Sequence, residues 1–258
     1  MTATQEAPEL TPDISVRPIR KAPRRAKLPV LGIYQSAVGK KWVMALTGLA
    51  LMGFVFFHMV GNLKMYLGPV DFNHYAEFLR ELLVPIVPRT VALWMLRIGL
   101  IVAFALHIHA AYSLTVMNRK ARPVNYQSPR DYVAANWAAR TMRWTGIIVG
   151  LFLVYHLIDL TWGKGGAEFV RGEAYQNLVA SFERWPVAIV YIVANLALGV
   201  HLYHGAWSIF QSLGSMSPKF SPRHNPVRKG FAAGFAILVA GVNISFPIMV
   251  LAGVVSVG

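Results

Sequence analysis

The residues in this chain that could do chemistry are histidines set in apolar stretches. His58, His107, His156 and His201 each lie in a run hydrophobic enough to sit in a membrane. Imidazole is expensive in hydrocarbon, so a histidine there is by default a functional candidate. The richest run is ANLALGVHLYHGAWSIFQSLG, residues 194–214, with His201 and His204 three apart. The chain has no cysteine. That removes disulfides, thiolate zinc sites, iron–sulfur ligation and covalent c-type haem attachment. What remains is a group held between imidazoles, or a path lined by them.

The elements that must position these rings are long apolar helices. Of the 258 residues, 55% are hydrophobic, and the mean hydropathy is +0.47. This is too apolar for an ordinary soluble domain and suits a multi-spanning membrane protein. Five stretches reach the roughly 20 residues that a helix needs to cross a bilayer core. They cover 42–63, 91–117, 141–162, 185–213 and 230–257. The expected fold is all-α, a polytopic bundle of five transmembrane helices over 39–258. Residues 1–38 form a basic, proline-rich segment without the apolar core of a secretory signal. Composition predicts a mostly disordered cytoplasmic arm, with attachment to a partner subunit as the alternative.

Net charge is +14. In a soluble protein this would raise nucleic acid, but here the charge sits in loops between spans. Eighteen Lys and Arg fall on the side of the N-terminus and of the loops after the second and fourth spans, against six in the opposite loops. The positive-inside rule then predicts a cytoplasmic N-terminus and an external C-terminus. Arg97 lies inside the second span near its outer end, where it either snorkels or pairs with an acid.

Depth separates the histidines into two pairs. His58 stands 16 residues past Trp42, His107 16 past Val91, His156 15 past Thr141 and His201 16 past Trp185. At 1.5 Å per residue each is about 24 Å from its entry surface. Successive spans reverse direction, so His58 and His156 share an outer level and His107 and His201 an inner one. The levels differ by something like 15–20 Å in a core of roughly 30 Å. Two pairs at two depths are what bis-histidine ligation of two b-type haems requires. The alternative is a transporter or proton channel lined by histidines. Bare metal transport fits less well, because no carboxylate or thiolate joins the rings at their level. Glycines 48, 53, 61, 99, 146, 150, 199 and 205 fall in or near the spans and permit close approach of helices or of a macrocycle. His109, two residues from His107, points to another face of its helix. His204 shares the face of His201, one turn nearer the cytoplasm. His74 and His224 read as ordinary loop residues.

Two loops lie on the outer side. DFNHYAEFLREL, 71–82, has helical spacing with Phe72, Tyr75, Phe78, Leu79 and Leu82 on one face, and predicts a short helix that lies along the surface and seals the bundle. The segment between the third and fourth spans reads as a polar, glycine-containing loop.

Five spans with histidine in the first four resemble the di-haem cytochrome b membrane anchor of bacterial succinate:quinone oxidoreductases and quinol:fumarate reductases. The likeness runs from about residue 39 to the C-terminus. It is carried by GKKWVMALTGLALMGFVFFHMVGNL (39–63), LHIHAAYSLTVMNRKARPVNY (106–126) and HLYHGAWSIFQSLG (201–214). The resemblance implies haem ligands at His58, His107, His156 and His201, paired first with third and second with fourth. It selects His107 over His109, seven residues before the Leu114–Thr115 pair, and leaves His204 beside the inner haem. Arg119, Arg122, Arg140 and Arg143 become candidates for propionate pairing or partner docking, with a plain positive-inside role as the alternative.

The resemblance also implies a chain that does not oxidise succinate itself. A cytoplasmic flavoprotein subunit with FAD and an iron–sulfur subunit would be its partners in a bacterial plasma membrane. Electrons would pass from the iron–sulfur subunit through an inner and an outer haem b to a quinone, typically menaquinone. Quinone-site candidates on the outer side are Tyr75, Glu77, Arg80, Glu81 and Asp159. A haemless anchor of the same fold, or a di-haem cytochrome b serving a hydrogenase or formate dehydrogenase, remains an alternative, and an oligomer of complexes is compatible with the apolar surface.

Overall fold

A computed structural model describes residues 29–121, 137–213 and 226–257. Helix α1 spans Pro29–Gln35 and α2 spans Ala37–Asn62, continued by a 3-10 turn over Leu63–Leu67. Then follow α3, Pro69–Arg80; α4, Val91–Ala121; α5, Trp137–His156, with a π turn over Leu157–Thr161; α6, Ala174–Phe182; α7, Trp185–Ser212; and α8, Pro226–Leu251. No strand occurs among the described residues. Five helices are long and apolar enough to cross a membrane: α2, α4, α5, α7 and α8. Their exposed side chains are themselves large and apolar, such as Leu49, Phe57, Ile101, Leu151 and Leu196. A helix apolar on all faces belongs in lipid or in a large core, and the chain is a multi-pass membrane protein.

Capping explains where the helices depart from the expected bounds. Ser36 accepts a bond from the Gly39 amide at 2.9 Å, so α2 starts five residues before Trp42. Within the expected arm over 1–38, residues 29–35 and 37–38 are helical, and residues 1–28 lie outside the described residues. The fifth span stops at Leu251 rather than 257. Gly253 has φ +70°, and the Val254 amide closes back on the Met249 carbonyl at 3.0 Å. That is a Schellman ending, which a left-handed glycine permits.

The packing is uneven. Helix α8 lies against α7 and reaches α2, and carries no histidine. Small residues line this contact: Gly199 and Ala206 on α7, and Ala232, Ala236 and Ala240 at four-residue spacing on α8. A Cβ on Gly199 would meet the Ala240 Cβ at 3.0 Å, so the backbones approach as closely as membrane helices can. Among the other four spans α4 packs on α2, α2 on α7, and α7 on α5. The diagonal pairs, α2 with α5 and α4 with α7, make at most marginal backbone contact.

Both far-side loops fold over the bundle end, opposite the side of α1. Helix α3 is the predicted interfacial helix. It buries Phe72 against Tyr175, while Phe78 turns outward at 53% exposure. Tyr75 lies on Gly61, where a Cβ would come within 2.7 Å of the phenol ring carbons. Helix α6 corrects the reading of the later loop as merely polar. Tyr175, Leu178, Val179 and Phe182 recur at helical spacing and are buried against Tyr191 of α7 and Phe246 of α8. Asn73 ties the two caps together, donating to Glu173 at 2.7 Å and accepting from the Tyr175 amide at 2.9 Å.

Candidate functional site

The four span histidines meet across the two diagonals. His58 of α2 faces His156 of α5 with ring centroids 5.9 Å apart and planes at 85°. His107 of α4 faces His201 of α7 at 6.5 Å and 63°. Both pairs bridge helices that otherwise make at most marginal backbone contact, so each gap is spanned by imidazoles. With metal–nitrogen bonds of about 2 Å and about 1.1 Å from ring nitrogen to ring centre, two imidazoles on one ion put their centroids about 6 Å apart. The observed spacings fit that arrangement at both levels. Among the described residues no group of three or more His, Cys, Asp or Glu side chains could hold a bare ion. Histidines in twos suit a metal whose other positions a macrocycle supplies.

The His107 and His201 rings are each held by the helix beside them. His107 Nδ1 lies 3.1 Å from the Met44 carbonyl and 3.2 Å from Thr47 Oγ1. His201 Nδ1 lies 3.3 Å from Thr145 Oγ1. Both rings rest on glycine: a Cβ would meet His107 Cε1 at 3.2 Å on Gly48 and His201 Cε1 at 3.3 Å on Gly146. These contacts place His107 level with Thr47, eleven residues before His58 on α2. That is about 16 Å along the helix axis, within the separation expected from the spacing.

The holders of His107 and His201 are one motif used twice. Met44-Ala-Leu-Thr47-Gly48 recurs as Met142-Arg-Trp-Thr145-Gly146, displaced by 98 residues, and His58 and His156 are displaced by the same 98. The helices α4 and α7 begin 94 residues apart, as do His107 and His201. The four histidine-bearing spans are thus two copies of a two-helix unit, α2 with α4 and α5 with α7, with α8 added. Thr47 and Thr145 are site residues that reading histidines alone misses; the MxxTG repeat was the signal that could have found them.

His156 has a different environment. The α-helix widens into the π turn just after it, with the Trp162 amide bonded to the Leu157 carbonyl at 2.9 Å; such turns are frequent at functional positions. Asp159 in that turn is buried, 4% exposed. It accepts from Arg184 Nη2 at 2.9 Å, from Tyr191 Oη at 3.0 Å, and from Ser181 Oγ. Tyr191 Oη in turn lies 3.3 Å from His156 Nδ1. Gly165 sits directly on the Asp159 carboxylate, leaving no space for a Cβ. The chain matches no family model, no curated protein and no solved structure.

The quinone-site candidates do not form one cluster. Tyr75, Glu77 and Arg80 share α3, and Glu81 follows it exposed, but Asp159 is enclosed by α6 and α7. Glu77 is paired with Arg80 at 2.8 Å and with Arg89. Those two guanidinium groups, Arg89 first, hold its carboxyl below the usual 4.5. A depressed carboxyl stabilises the fold above its unfolded value and loses that contribution as pH falls through the folded one. Docking of the 77–89 loop is expected to persist down to pH 4.5 and to loosen only below it, measured as protease cleavage of the loop against pH. Glu77→Gln should abolish that pH dependence.

The other singled-out residues fall at the periphery. His109 Nδ1 bonds to Tyr34 Oη of α1, with the rings stacked at 5.8 Å. His204 Nδ1 is buried without a partner. Arg97 lies over the Trp94 ring at 5.1 Å rather than against an acid. Arg119 and Arg143 are exposed near the ends of α4 and α5 on the N-terminal side. Arg122, His224 and the Arg140 side chain lie outside the described residues, and His74 is exposed on α3.

Proposed function

We propose that this chain is the di-haem cytochrome b membrane anchor of a succinate:quinone oxidoreductase or quinol:fumarate reductase. The observation that carries the reading is the crossed pairing of four histidines at two levels, each pair at the spacing of two imidazoles on one ion. His58 and His156 would hold one haem b, and His107 and His201 the other. Haem b, when bound, supplies a one-electron carrier at each level. Thr47, Thr145 and the Met44 carbonyl orient the inner rings through Nδ1, which leaves Nε2 free to ligate. Gly48 and Gly146 let the rings seat against α2 and α5. The partnerless Nδ1 of His204 is the natural donor or acceptor for a propionate.

In this reading the N-terminal side is cytoplasmic, in a bacterial plasma membrane. Arg119 and Arg143 then face the iron–sulfur and flavoprotein subunits or the inner propionates, and Arg122 and Arg140 are candidates for the same role. Quinone, with menaquinone as the expected type, exchanges electrons on the opposite side near α3, where Tyr75 and Glu81 are the remaining hydroxyl and carboxyl candidates. The test is a dithionite-reduced minus oxidised spectrum of the purified chain with haem counted as pyridine haemochrome. Two b-type haems per chain are expected. A folded, monodisperse preparation without haem overturns the reading and turns attention to a haemless anchor or a histidine-lined transporter.

A further inference from the structure

The two halves of the repeat differ behind His156. Asp159 corresponds by the 98-residue displacement to Gly61, and Tyr191 by the 94-residue displacement to Arg97. Neither Gly61 nor Arg97 bonds a histidine; Gly61 lies under Tyr75 and Arg97 over Trp94. In the second half the same positions form a connected chain of groups. Arg184 Nη2 donates to Asp159 at 2.9 Å, Tyr191 reaches Asp159 at 3.0 Å, and His156 Nδ1 lies 3.3 Å from the Tyr191 oxygen. Asp159 and Tyr191 are each 4% exposed, so water does not screen the step between them.

Proton bookkeeping orients it. An ionised carboxylate only accepts, so the single Tyr191 proton goes to Asp159. The phenol oxygen is then left as an acceptor, and His156 Nδ1–H is the donor that meets it. That tautomer leaves the His156 Nε2 lone pair free toward His58. Among the described residues the His107 and His201 rings have neutral partners, a backbone carbonyl and a threonine hydroxyl for each. A negative charge one residue behind a ligating imidazole makes it a stronger donor to the metal and favours the oxidised ion.

We propose that Tyr191, Asp159 and Arg184 form a relay that positions His156 and sets the reduction potential of the haem it holds, separately from the other haem. The inference rests on the haem reading above. Tyr191 is a positioning residue here, acting through His156.

The test is a potentiometric titration of both haems in the intact complex, in wild type, Tyr191→Phe and Asp159→Asn. Tyr191→Phe keeps the ring that packs on Phe152 at 4.9 Å and on Phe182 at 4.8 Å, and removes only the hydroxyl. A His58→Ala sample identifies the wave of the haem that remains at the other level. In Tyr191→Phe the wave of the His58/His156 haem is expected to move up about tenfold in its reduction equilibrium, about 59 mV for one electron. The other wave should stay in place. Asp159→Asn, which retains the phenol bond without the charge, should move the same wave in the same direction. Two haems with both waves at wild-type positions in either variant overturn the relay. So does an equal shift of both waves, or loss of both haems, which would mark a general structural role. A wild-type chain without haem overturns the functional reading instead, and the spectrum shows that before any variant is made.

Discussion

His58→Ala is expected to lower the haem content from two per chain to one, and His156→Ala to give the same product. The reason is the diagonal pairing: both remove an axial ligand from one level and leave the His107/His201 pair intact. His107→Ala and His201→Ala should likewise match one another and spare the outer level. Double variants make the pairing decisive. His58→Ala/His156→Ala loses no more than either single change, whereas His58→Ala/His107→Ala loses both haems. Pyridine haemochrome counts on purified protein read this directly. A His58→Ala/His156→Ala product without haem, or a His58→Ala/His107→Ala product that keeps one, would refute the assignment of partners. The logic is that of non-additivity within a site and additivity between independent sites.

Arg184→Ala is expected to be the most destabilising single change outside the histidines. It strips the counter-ion from a carboxylate enclosed by Ser181, Tyr191 and Gly165, and it also frees the Gly165 carbonyl, which accepts from Arg184 Nη1 at 2.6 Å. Breaking one side of a buried pair costs about 3 kcal/mol or more, because the remaining charge is left uncompensated. For a chain of this length that is about 6–12 °C in Tm. The double change Asp159→Asn/Arg184→Gln should recover much of the loss, since no lone charge stays behind. Thermal unfolding in detergent, followed by circular dichroism, measures both. A loss below about 1 kcal/mol for Arg184→Ala would place the pair with solvated surface bridges instead. Arg184 is the partly exposed member, at 28% against 1% for the Asp159 side chain, so the sharper penalty is expected there, where the carboxylate is stranded.

Much of the architecture was legible in the chain because it depends on composition and length. A run that is apolar on every face has few places to go but lipid, and 20 such residues have one length as a helix. The five spans follow, and so does the grouping of histidines into two levels, since rise per residue converts sequence position into depth. Helix α3 was readable from the recurrence of Phe72 and Tyr75. The start of α2 at Ser36 and the end of α8 before Gly253 were present as capping residues, but such residues also occur in loops, and only the backbone decides which are used.

Tertiary structure decided who stands behind each histidine. Depth says that His58 and His156 share a level; it does not say that they stand on diagonal helices, nor that Thr47 of the neighbouring helix reaches the ring of His107. Helix α6 was missed because nine residues are too few to announce a helix by periodicity alone, and its stability comes from burial against α7 and α8. The sequence offers Asp159 as an outer-side quinone-site candidate, three residues past His156. The π turn and the fold-back of Ser181 and Arg184 enclose it, twenty-two and twenty-five residues further along the chain. Sequence by itself determined the spans and the levels, because hydrophobicity and helical rise are local properties of a chain. Only the packed structure decided the pairs, the Thr47 and Thr145 holders and the Asp159 relay, because each depends on contacts between segments that the sequence separates by 22 to 98 residues.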